Sequence, residues 1–157
     1  MRKAVVSGFG NDRGLTTSGS WLNLEELATA ELSSEDPVHP FEQALRADTV
    51  EGWKASEPGP QLIRLRFDSP QSVKRVHLQF REDRVERSQE IALFATSATS
   101  SRKELVRQQW VFSPSGATTE VEDYFFDLKD LAVLELEIDP GRHDKRVFAS
   151  LQSIQLG

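Results

Sequence analysis

The sequence predicts an all-β fold, an antiparallel sandwich of about eight strands with one short helix in the connection over residues 33–61. Three observations predict it. Several runs of about four to eight residues alternate apolar and polar side chains, which is the period of a strand with one face on a core. Residues that favour turns separate these runs, and only one stretch has a helical pattern.

Three runs show the alternation most clearly. They cover residues 61–68, 73–81 and 132–140, and the turn-forming sequence DSPQS separates the first two. The side chains expected to face the core are Ile63, Leu65 and Phe67, then Val76, Leu78 and Phe80, and finally Leu134, Leu136 and Ile138. Polar residues alternate with them, so the other face of each strand is expected to meet water.

Weaker runs complete the set of strands, at residues 27–32, 89–95, 106–112, 123–128 and 149–156. The short helix is predicted over 40–48. Pro40 suits a first helical turn, and Phe41 and Leu45 lie four residues apart on one side. We expect this helix to cap the core.

The 157 residues suffice for one core, so we predict a single domain over 21–157. Residues 1–20 are predicted to form a flexible N-terminal arm, or an edge strand through the sequence KAVV. The apolar stretch there is too short for a signal peptide, and no run elsewhere is long enough to span a membrane. The sequence has no cysteine and therefore no disulfide. Together these features favour a cytoplasmic protein.

Composition and motifs argue against several classes of function. The net charge of −6 lacks the broad positive field that nucleic acid or an anionic membrane requires. There is no GxSxG nucleophile motif, and the glycines of residues 8–14 lack the spacing of a phosphate-binding loop. Glu135 and Glu137 share the outward face of one strand, unlike the opposed carboxylates of a glycosidase. We therefore predict a protein without catalytic activity.

The connections of the predicted sandwich sort into two ends, because successive antiparallel strands run in opposite directions. One end, here called the upper end, receives residues 33–61, 81–88, 113–122 and 139–148. The lower end receives the polar turns at 69–75, 96–105 and 129–132. Binding residues concentrate on loops held by a rigid scaffold, so the site is predicted at the upper end.

A series of segments carries a family resemblance. In order they are LATAELSSE (27–35), GWKAS (52–56), the strand, turn and strand of 60–80, RSQEIALFAT (87–96), LELEIDP (134–140) and ASLQSIQLG (149–157). This order resembles the galactose-binding-like jelly-roll sandwiches, which include the discoidin or coagulation-factor type C domains and several families of carbohydrate-binding modules. The resemblance covers residues 21–157.

The resemblance implies a jelly-roll sandwich that binds sugars, phospholipids or other proteins through loops at one end. The same fold also serves as an intracellular protein-interaction module. The chain departs from the discoidin members because it cannot form the cystine that commonly joins their termini. Residues 41–52 stand where many members have an Asp-Gly-rich, sometimes calcium-associated segment. A structural calcium ion is therefore unsupported, and no cofactor is predicted.

The candidates for ligand binding are Trp53, Arg81, Glu82, Arg84, Arg87, His39 and His143. The Trp53 ring would stack on a sugar, although its place just before a long strand also fits the rim of the core. The charged run over 80–90 supplies planar donors and carboxylate acceptors for ligand hydroxyls, or forms an ordinary solvated loop. The histidines lack metal-ligand spacing, so no metal site is predicted.

Two functions remain open. The first is a non-catalytic module that binds a carbohydrate or a similar hydroxyl-rich ligand. The second is an intracellular protein-interaction domain that docks through the upper end, or through an outward strand face bearing Arg64, Arg66, Arg75 and Gln79. An exposed aromatic residue in a concavity at the upper end would favour the sugar, and a flat charged surface would favour the protein.

Overall fold

The structure is a computed structural model that describes residues 1–3, 21–46 and 51–157, and it confirms the all-β sandwich. The strands of these residues are β1 (Arg2–Lys3), β2 (Ala28–Leu32), β3 (Trp53–Pro58), β4 (Gln61–Arg81), β5 (Arg87–Ser97), β6 (Lys103–Phe112), β7 (Thr119–Asp139), β8 (Phe148–Leu151) and β9 (Ser153–Leu156). The helical segments are the turn α1 (Leu24–Leu27) and a 3₁₀ helix (Phe41–Leu45). No helix of the described residues is long and apolar enough to cross a membrane.

Most strands belong to one hydrogen-bonded sheet. Its order is β1-β2-β4-β7-β5-β6, and β9 pairs with β4 beside this path. β3 and β8 form a separate antiparallel pair. The pairing of β1 with β2 is parallel, and β1 adds a two-residue edge to the sheet.

The long strands β4 and β7 fold this sheet into a sandwich. Their register shifts repeatedly between Arg66 and Arg75, which marks a bend in both strands. The Phe80 ring, beyond the bend, lies 5.2 Å from the Trp110 ring of β6, although β7 and β5 separate β4 from β6 in the sheet order. The parts of β4 and β7 beyond the bend therefore pack across the rest of the sheet.

Two layers result from this bend. The large layer consists of β1, β2, the first half of β4, the second half of β7, β5 and β6. The small layer consists of β9, the second half of β4 and the first half of β7. Residues 68–72, predicted as a turn between two strands, instead continue β4 through the bend, and this prediction is wrong.

The bend also corrects the outward face predicted for protein docking. Arg64 and Arg66 precede it and lie on the large layer, where they pair with β2 and the second half of β7. Arg75 and Gln79 follow it and lie on the small layer beside β9 and the first half of β7. The four residues therefore do not form a single surface, because the strand that carries them changes layer.

The core between the layers contains most of the residues that the alternation predicts. The buried members are Ile63, Leu65, Val76, Leu78, Phe80, Leu134, Leu136 and Ile138. Phe67, the last inward residue before the bend, is only partly buried. The period of two therefore identifies the inward face along both halves of β4 and in β7.

The connection between β2 and β3 packs into the same core. Its helix is a 3₁₀ helix that follows Pro40, with Phe41 buried; residues 47 and 48 of the predicted helix lie outside the described ones. The Phe41 amide donates to the Glu35 carboxylate at 2.7 Å, and the buried Lys3 ammonium lies 3.2 Å from the same carboxylate. A buried ion pair thus joins β1 to this connection.

The N-terminal division stays a prediction, because residues 4–20 lie outside the described part of the chain. The residues before them belong to the sandwich: Met1 is buried, and β1 supplies the edge strand at Arg2–Lys3. The predicted strand over 149–156 is interrupted at Gln152, which separates β8 from β9.

Candidate ligand-binding site

The upper end of the sandwich gathers the connections that the sequence assigns to it. The Glu82 amide donates to the Thr118 carbonyl oxygen at 2.8 Å, which joins the connections after β4 and after β6. The Gly59 amide donates to the Val147 carbonyl oxygen at 2.9 Å, which joins the β3–β4 turn to the connection after β7. The upper-end connections therefore meet as predicted, whereas the lower-end turns predicted at 69–75 and 129–132 lie within the continuous strands β4 and β7.

Arg87 holds these connections together from the inside. Its buried guanidinium donates to the Glu82 carboxylate at 2.8 Å, to the Gln89 side-chain oxygen at 2.6 Å and to the Pro140 carbonyl oxygen at 2.7 Å. It also lies 4.9 Å from the centroid of the Phe112 ring. Arg87, predicted as a ligand contact, is thus buried and bonded within the protein, and Glu82 is one of its partners.

Trp53 is part of the core. Its side chain is 0% exposed, and its indole N–H donates to the Ser34 carbonyl oxygen at 3.2 Å. A buried ring offers no face to a sugar. The core interpretation of this residue therefore replaces the ligand-binding one.

His39 is held between two carboxylates. Its Nδ1 lies 3.1 Å from the Asp36 carboxylate, and its Nε2 lies 2.6 Å from the Glu51 carboxylate. The hydrogen bond with His39 lowers the pKa of the Glu51 carboxyl below its ordinary value. Because the carboxylates sit at opposite ring nitrogens, they do not converge on one point. Within the described residues, no cluster of His, Cys, Asp or Glu could hold a metal ion.

The remaining candidates, Arg81, Arg84 and His143, are exposed on the upper end. Arg81 contacts the Asp83 carboxylate at 3.3 Å, and both side chains of this pair face water. The structure thus leaves these three residues accessible, whereas it places Trp53 in the core.

A concave pocket of about 420 Å³ opens at the upper end, on the outward face of the large layer. We call it the end pocket. Its polar lining residues are Ser33, Gln61, Glu90, Arg107, Glu137 and Asp139. Four neighbouring strands, β4, β7, β5 and β6, form its floor. Each contributes one residue of a paired row, in that order Leu62, Glu137, Ala92 and Arg107. The small side chain of Ala92 leaves open space between its larger neighbours.

Ion pairs fix the charged groups around the end pocket. The Arg107 guanidinium donates to Glu90 at 2.9 Å and to Glu104 at 2.7 Å. Glu137 accepts a hydrogen bond from Arg102 at 3.0 Å. These contacts hold a guanidinium and two carboxylates of the pocket in set positions without enclosing them.

Asp139 lines the end pocket and contains one buried, unpaired acceptor atom. Its Oδ2 accepts a hydrogen bond from the Lys145 ammonium at 2.9 Å. Its Oδ1 is buried and has no hydrogen-bond partner among the described residues. A buried acceptor without a donor costs free energy, and this oxygen has almost no surface open to the pocket.

The end pocket lies at the end where the sequence predicts the site, but the pocket itself was not predicted. The sequence analysis looked for loop residues, whereas the pocket lies on a sheet face formed by the strand ends. The alternation contains a signal for the pocket. Glu90 and Arg107 are charged residues that face outward on neighbouring strands, and Ala92, the next outward residue after Glu90, lies opposite Arg107. Recognising this signal requires the pairing of β5 with β6, which the sequence alone does not specify.

Comparisons with known proteins bear on the fold. The sequence matches no protein-family model and no curated relative. A pectin-binding carbohydrate-binding module superposes with a TM-score of 0.60 at 15% identity, over 84% of this chain and 91% of the other. The family 32 module from C. perfringens NanJ, in complex with galactose, gives 0.57 at 16% identity, over 82% and 92%. XRCC1 bound to the DNA pol beta catalytic domain gives 0.56 at 17% identity, over 80% and 91%.

The chain has the galactose-binding-like jelly-roll fold. At these identities the likeness is one of fold, and it confirms the resemblance found in the sequence. The neighbours with this jelly roll include carbohydrate-binding modules and a domain solved with a protein bound.

Proposed function

We propose that this jelly-roll chain is a non-catalytic carbohydrate-binding module whose site is the end pocket. The observation that carries the proposal is the pocket of about 420 Å³ with its convergent guanidinium, carboxylate and amide groups. Its volume falls in the range of about 300–1,000 Å³ that is usual for small-ligand sites. The pectin-binding and galactose-bound neighbours support a sugar as the ligand class.

The polar groups of the end pocket suit hydroxyl recognition, because each sugar hydroxyl both donates and accepts hydrogen bonds. Glu90, Glu137 and Asp139 supply acceptors, and Arg107 supplies donors. Since the ion pairs already hold these groups in place, a ligand would meet a preorganised site.

Phe148 supplies an exposed aromatic ring at the upper end. It is 51% exposed at the start of β8 and pairs with Pro58, two residues before Pro60 of the end pocket. The described lining of the pocket contains no aromatic side chain. We therefore assign sugar stacking to Phe148 beside the pocket, with Arg81, Arg84 and His143 as outer contacts.

A protein partner is the second candidate function. One neighbour with this fold is solved with a protein domain bound, and a charged surface adjoins the end pocket. In that surface Arg64 contacts Glu31 at 3.0 Å and Glu135 at 2.9 Å, and Arg102 contacts Glu135 at 2.7 Å. Such an ion-pair network suits a charged protein surface better than a neutral sugar.

The test is a two-dimensional amide NMR titration with mono- and oligosaccharides, with and without calcium. We expect saturable shifts at Gln61, Glu90 and Arg107. Arg107→Ala should weaken the binding at least about tenfold, because it removes a charged donor. Arg2→Ala is the matched control, since Arg2 is also an exposed arginine paired with a carboxylate, that of Asp68, outside the pocket.

Two results would contradict the proposal. If the shifts centred on Arg81 and Arg84 and Arg107→Ala had no effect, the site would be the connection after β4 and not the end pocket. A spectrum unchanged across the whole panel would transfer the assignment to a protein partner.

A further inference from the structure

The outward face of the small layer carries an aromatic and charged cluster away from the end pocket. We call it the ring platform, and it consists of Trp21, Arg75, His77, Asp123 and Phe125. Arg75 pairs in register with Phe125, and His77 with Asp123, across β4 and β7. Phe125 is 73% exposed. An aromatic side chain this exposed beside fixed polar groups is a feature of binding surfaces.

Arg75 lies between two aromatic rings. Its guanidinium carbon is 4.6 Å from the centroid of the Trp21 ring and 5.7 Å from that of the Phe125 ring. Its Nε donates to the Asp123 carboxylate at 2.9 Å. The two terminal nitrogens donate to no described residue. They present a planar pair of donors, which matches both oxygens of a carboxylate.

Asp123 keeps this guanidinium in place. It accepts hydrogen bonds at 2.9 Å from Arg75 and from Nδ1 of His77. The hydrogen bond from Arg75, followed by that from His77, lowers the pKa of the Asp123 carboxyl, which is therefore ionised at neutral pH. The neighbouring Lys74 is exposed and makes no ion pair with the described residues. Arg75 and Asp123 balance each other in charge, and Lys74 adds a positive charge beside the platform.

We propose that the ring platform binds a carboxylate-bearing sugar, such as a uronic acid residue of an acidic polysaccharide. The apolar C–H face of the sugar ring would lie on Phe125, and its carboxylate would accept hydrogen bonds from the terminal nitrogens of Arg75. The exposed ring and the unpaired guanidinium edge are adjacent, and an acidic sugar uses both. The platform is a separate site from the end pocket, so each assignment stands or falls independently.

An acidic peptide would use the guanidinium but not the flat ring in the same way. The planar face of Phe125 pairs well with a rigid pyranose, which loses little conformational freedom on binding. A neutral sugar would use the ring but leave the terminal nitrogens of Arg75 without an acceptor. An exposed ring beside unpaired guanidinium nitrogens therefore favours an acidic sugar over an acidic peptide and over a neutral sugar.

The experiment is an amide and side-chain NMR titration of the full chain with trigalacturonate, with neutral galactotriose as the matched probe. We expect saturable shifts at the Trp21 indole, Arg75 and Phe125 with trigalacturonate, and affinity at least about tenfold lower with galactotriose. Phe125→Ala and Arg75→Lys should each weaken trigalacturonate binding by about tenfold, since a lysine keeps the charge but not the paired donors.

Val121→Ala is the control variant, because Val121 is an apolar residue on the same face of β7 and is 49% exposed. It should change the affinity less than about twofold. Since Phe125 faces water, its truncation should preserve the amide dispersion of the folded chain.

Several results would overturn the proposal. These are shifts confined to the end pocket, equal affinity for both trisaccharides, full affinity in Arg75→Lys, or tighter binding of hexaglutamate than of trigalacturonate. The last result would instead assign the platform to an acidic peptide. Trigalacturonate shifts at the platform with a silent end pocket would support this proposal, and the saccharide panel would still decide the proposed function.

Discussion

Arg87 shows why charge in a sequence does not distinguish a ligand contact from a structural residue. It belongs to a charged run that suggests a solvated loop, yet it is the first residue of β5 and is buried. The inward positions of this strand are Arg87, Gln89, Ile91 and Leu93. The strand was predicted to start at Gln89. Had the prediction started at Arg87, the period of two would have placed the Arg87 side chain on the buried face.

Glu122 gives the folded chain a dependence on pH. Burial, followed by the hydrogen bond and charge of Glu120, raises the pKa of the Glu122 carboxyl to about 7. The folded state then binds more protons than the unfolded chain between pH 4.5 and about 7. We therefore expect the free energy of unfolding to fall as pH rises through this window, by on the order of 1–2 kcal/mol for a partly buried group.

The measurement is urea unfolding at pH 4.5 to 8 for the parent chain and for Glu122→Gln. The glutamine keeps an acceptor for Gln108, which donates to Glu122 at 2.9 Å, and removes the titration. It should flatten the pH profile and stabilise the chain at pH 8. Glu57→Gln, at an exposed glutamate, is the control. Parallel pH profiles for Glu122→Gln and the parent chain would show that Glu122 does not cause the pH dependence of the free energy of unfolding.

At the scale of elements, alternation predicts which residues face the core better than it predicts where strands end. The two halves of β4 were correctly identified as strands, but a turn was expected where the structure has a bend. A continuous strand and a tight turn both accommodate a short polar segment, and the register of β4 on β7 decides between them. The bend in β7 contains Asp130 with φ of 54°, a local conformation that the sequence pattern does not reveal.

Two short elements, β3 and α1, have only weak signals in the sequence. β3 was missed because only Trp53 and Ala55 show the inward alternation before the strand becomes exposed. The turn α1 had a recognisable start, since the Asn23 side chain accepts from the Glu26 amide at 3.3 Å, the bond that an N-terminal cap makes. The segment NLEE therefore contains a capping signal. The helix itself has only four residues, too few for a helical period to be recognised in the sequence.

Gly52 is required where β3 begins against the junction of β8 and β9. Its φ is +53°, and a Cβ there would lie 2.1 Å from the Leu151 carbonyl oxygen and 2.6 Å from Gln152 Cα. Backbone atoms cannot move aside without breaking the pairing of Trp53 with Leu151. We expect Gly52→Ala to lower the free energy of unfolding by about 3 kcal/mol or more.

Urea unfolding measures this loss, with Gly116→Ala as the matched control. A Cβ added at Gly116 would make only ordinary van der Waals contact, because the nearest atom beyond its chain neighbours is the Ser113 Cβ at 3.8 Å. This substitution should change the stability by less than about 1 kcal/mol. Equal effects of the two substitutions would mean that the contact at Gly52 relaxes and does not constrain β3.

At the scale of the whole molecule, the sequence predicted the fold class and the end that gathers the loops. Both depend on the period of two and on the antiparallel direction of successive strands, which are local properties. The end pocket and the ring platform were not predicted because each joins strands distant in sequence. Arg107 meets Glu137 through β5, and Arg75 meets Phe125 through the pairing of β4 with β7. Such sites become visible once the strand order is known.

The two halves of β7 differ in the number of strands that they pair with. The second half of β7, Leu134–Ile138, pairs with β4 on one side and β5 on the other. The first half, Thr119–Leu128, pairs with β4 alone within the described part of the chain. In an antiparallel pair, successive backbone amides point to alternate sides of a strand, so every second amide of this half lacks a partner strand.

Hydrogen exchange followed by NMR tests this difference. We expect all amides of Leu134–Ile138 to exchange slowly, at rates set by global unfolding, and every second amide of Thr119–Leu128 to exchange faster. Chain concentration is the control, because pairing of this edge with a second copy would slow exchange as concentration rises. Uniform slow exchange along Thr119–Leu128 at every concentration would contradict the free edge. It would mean that another part of the chain covers the edge.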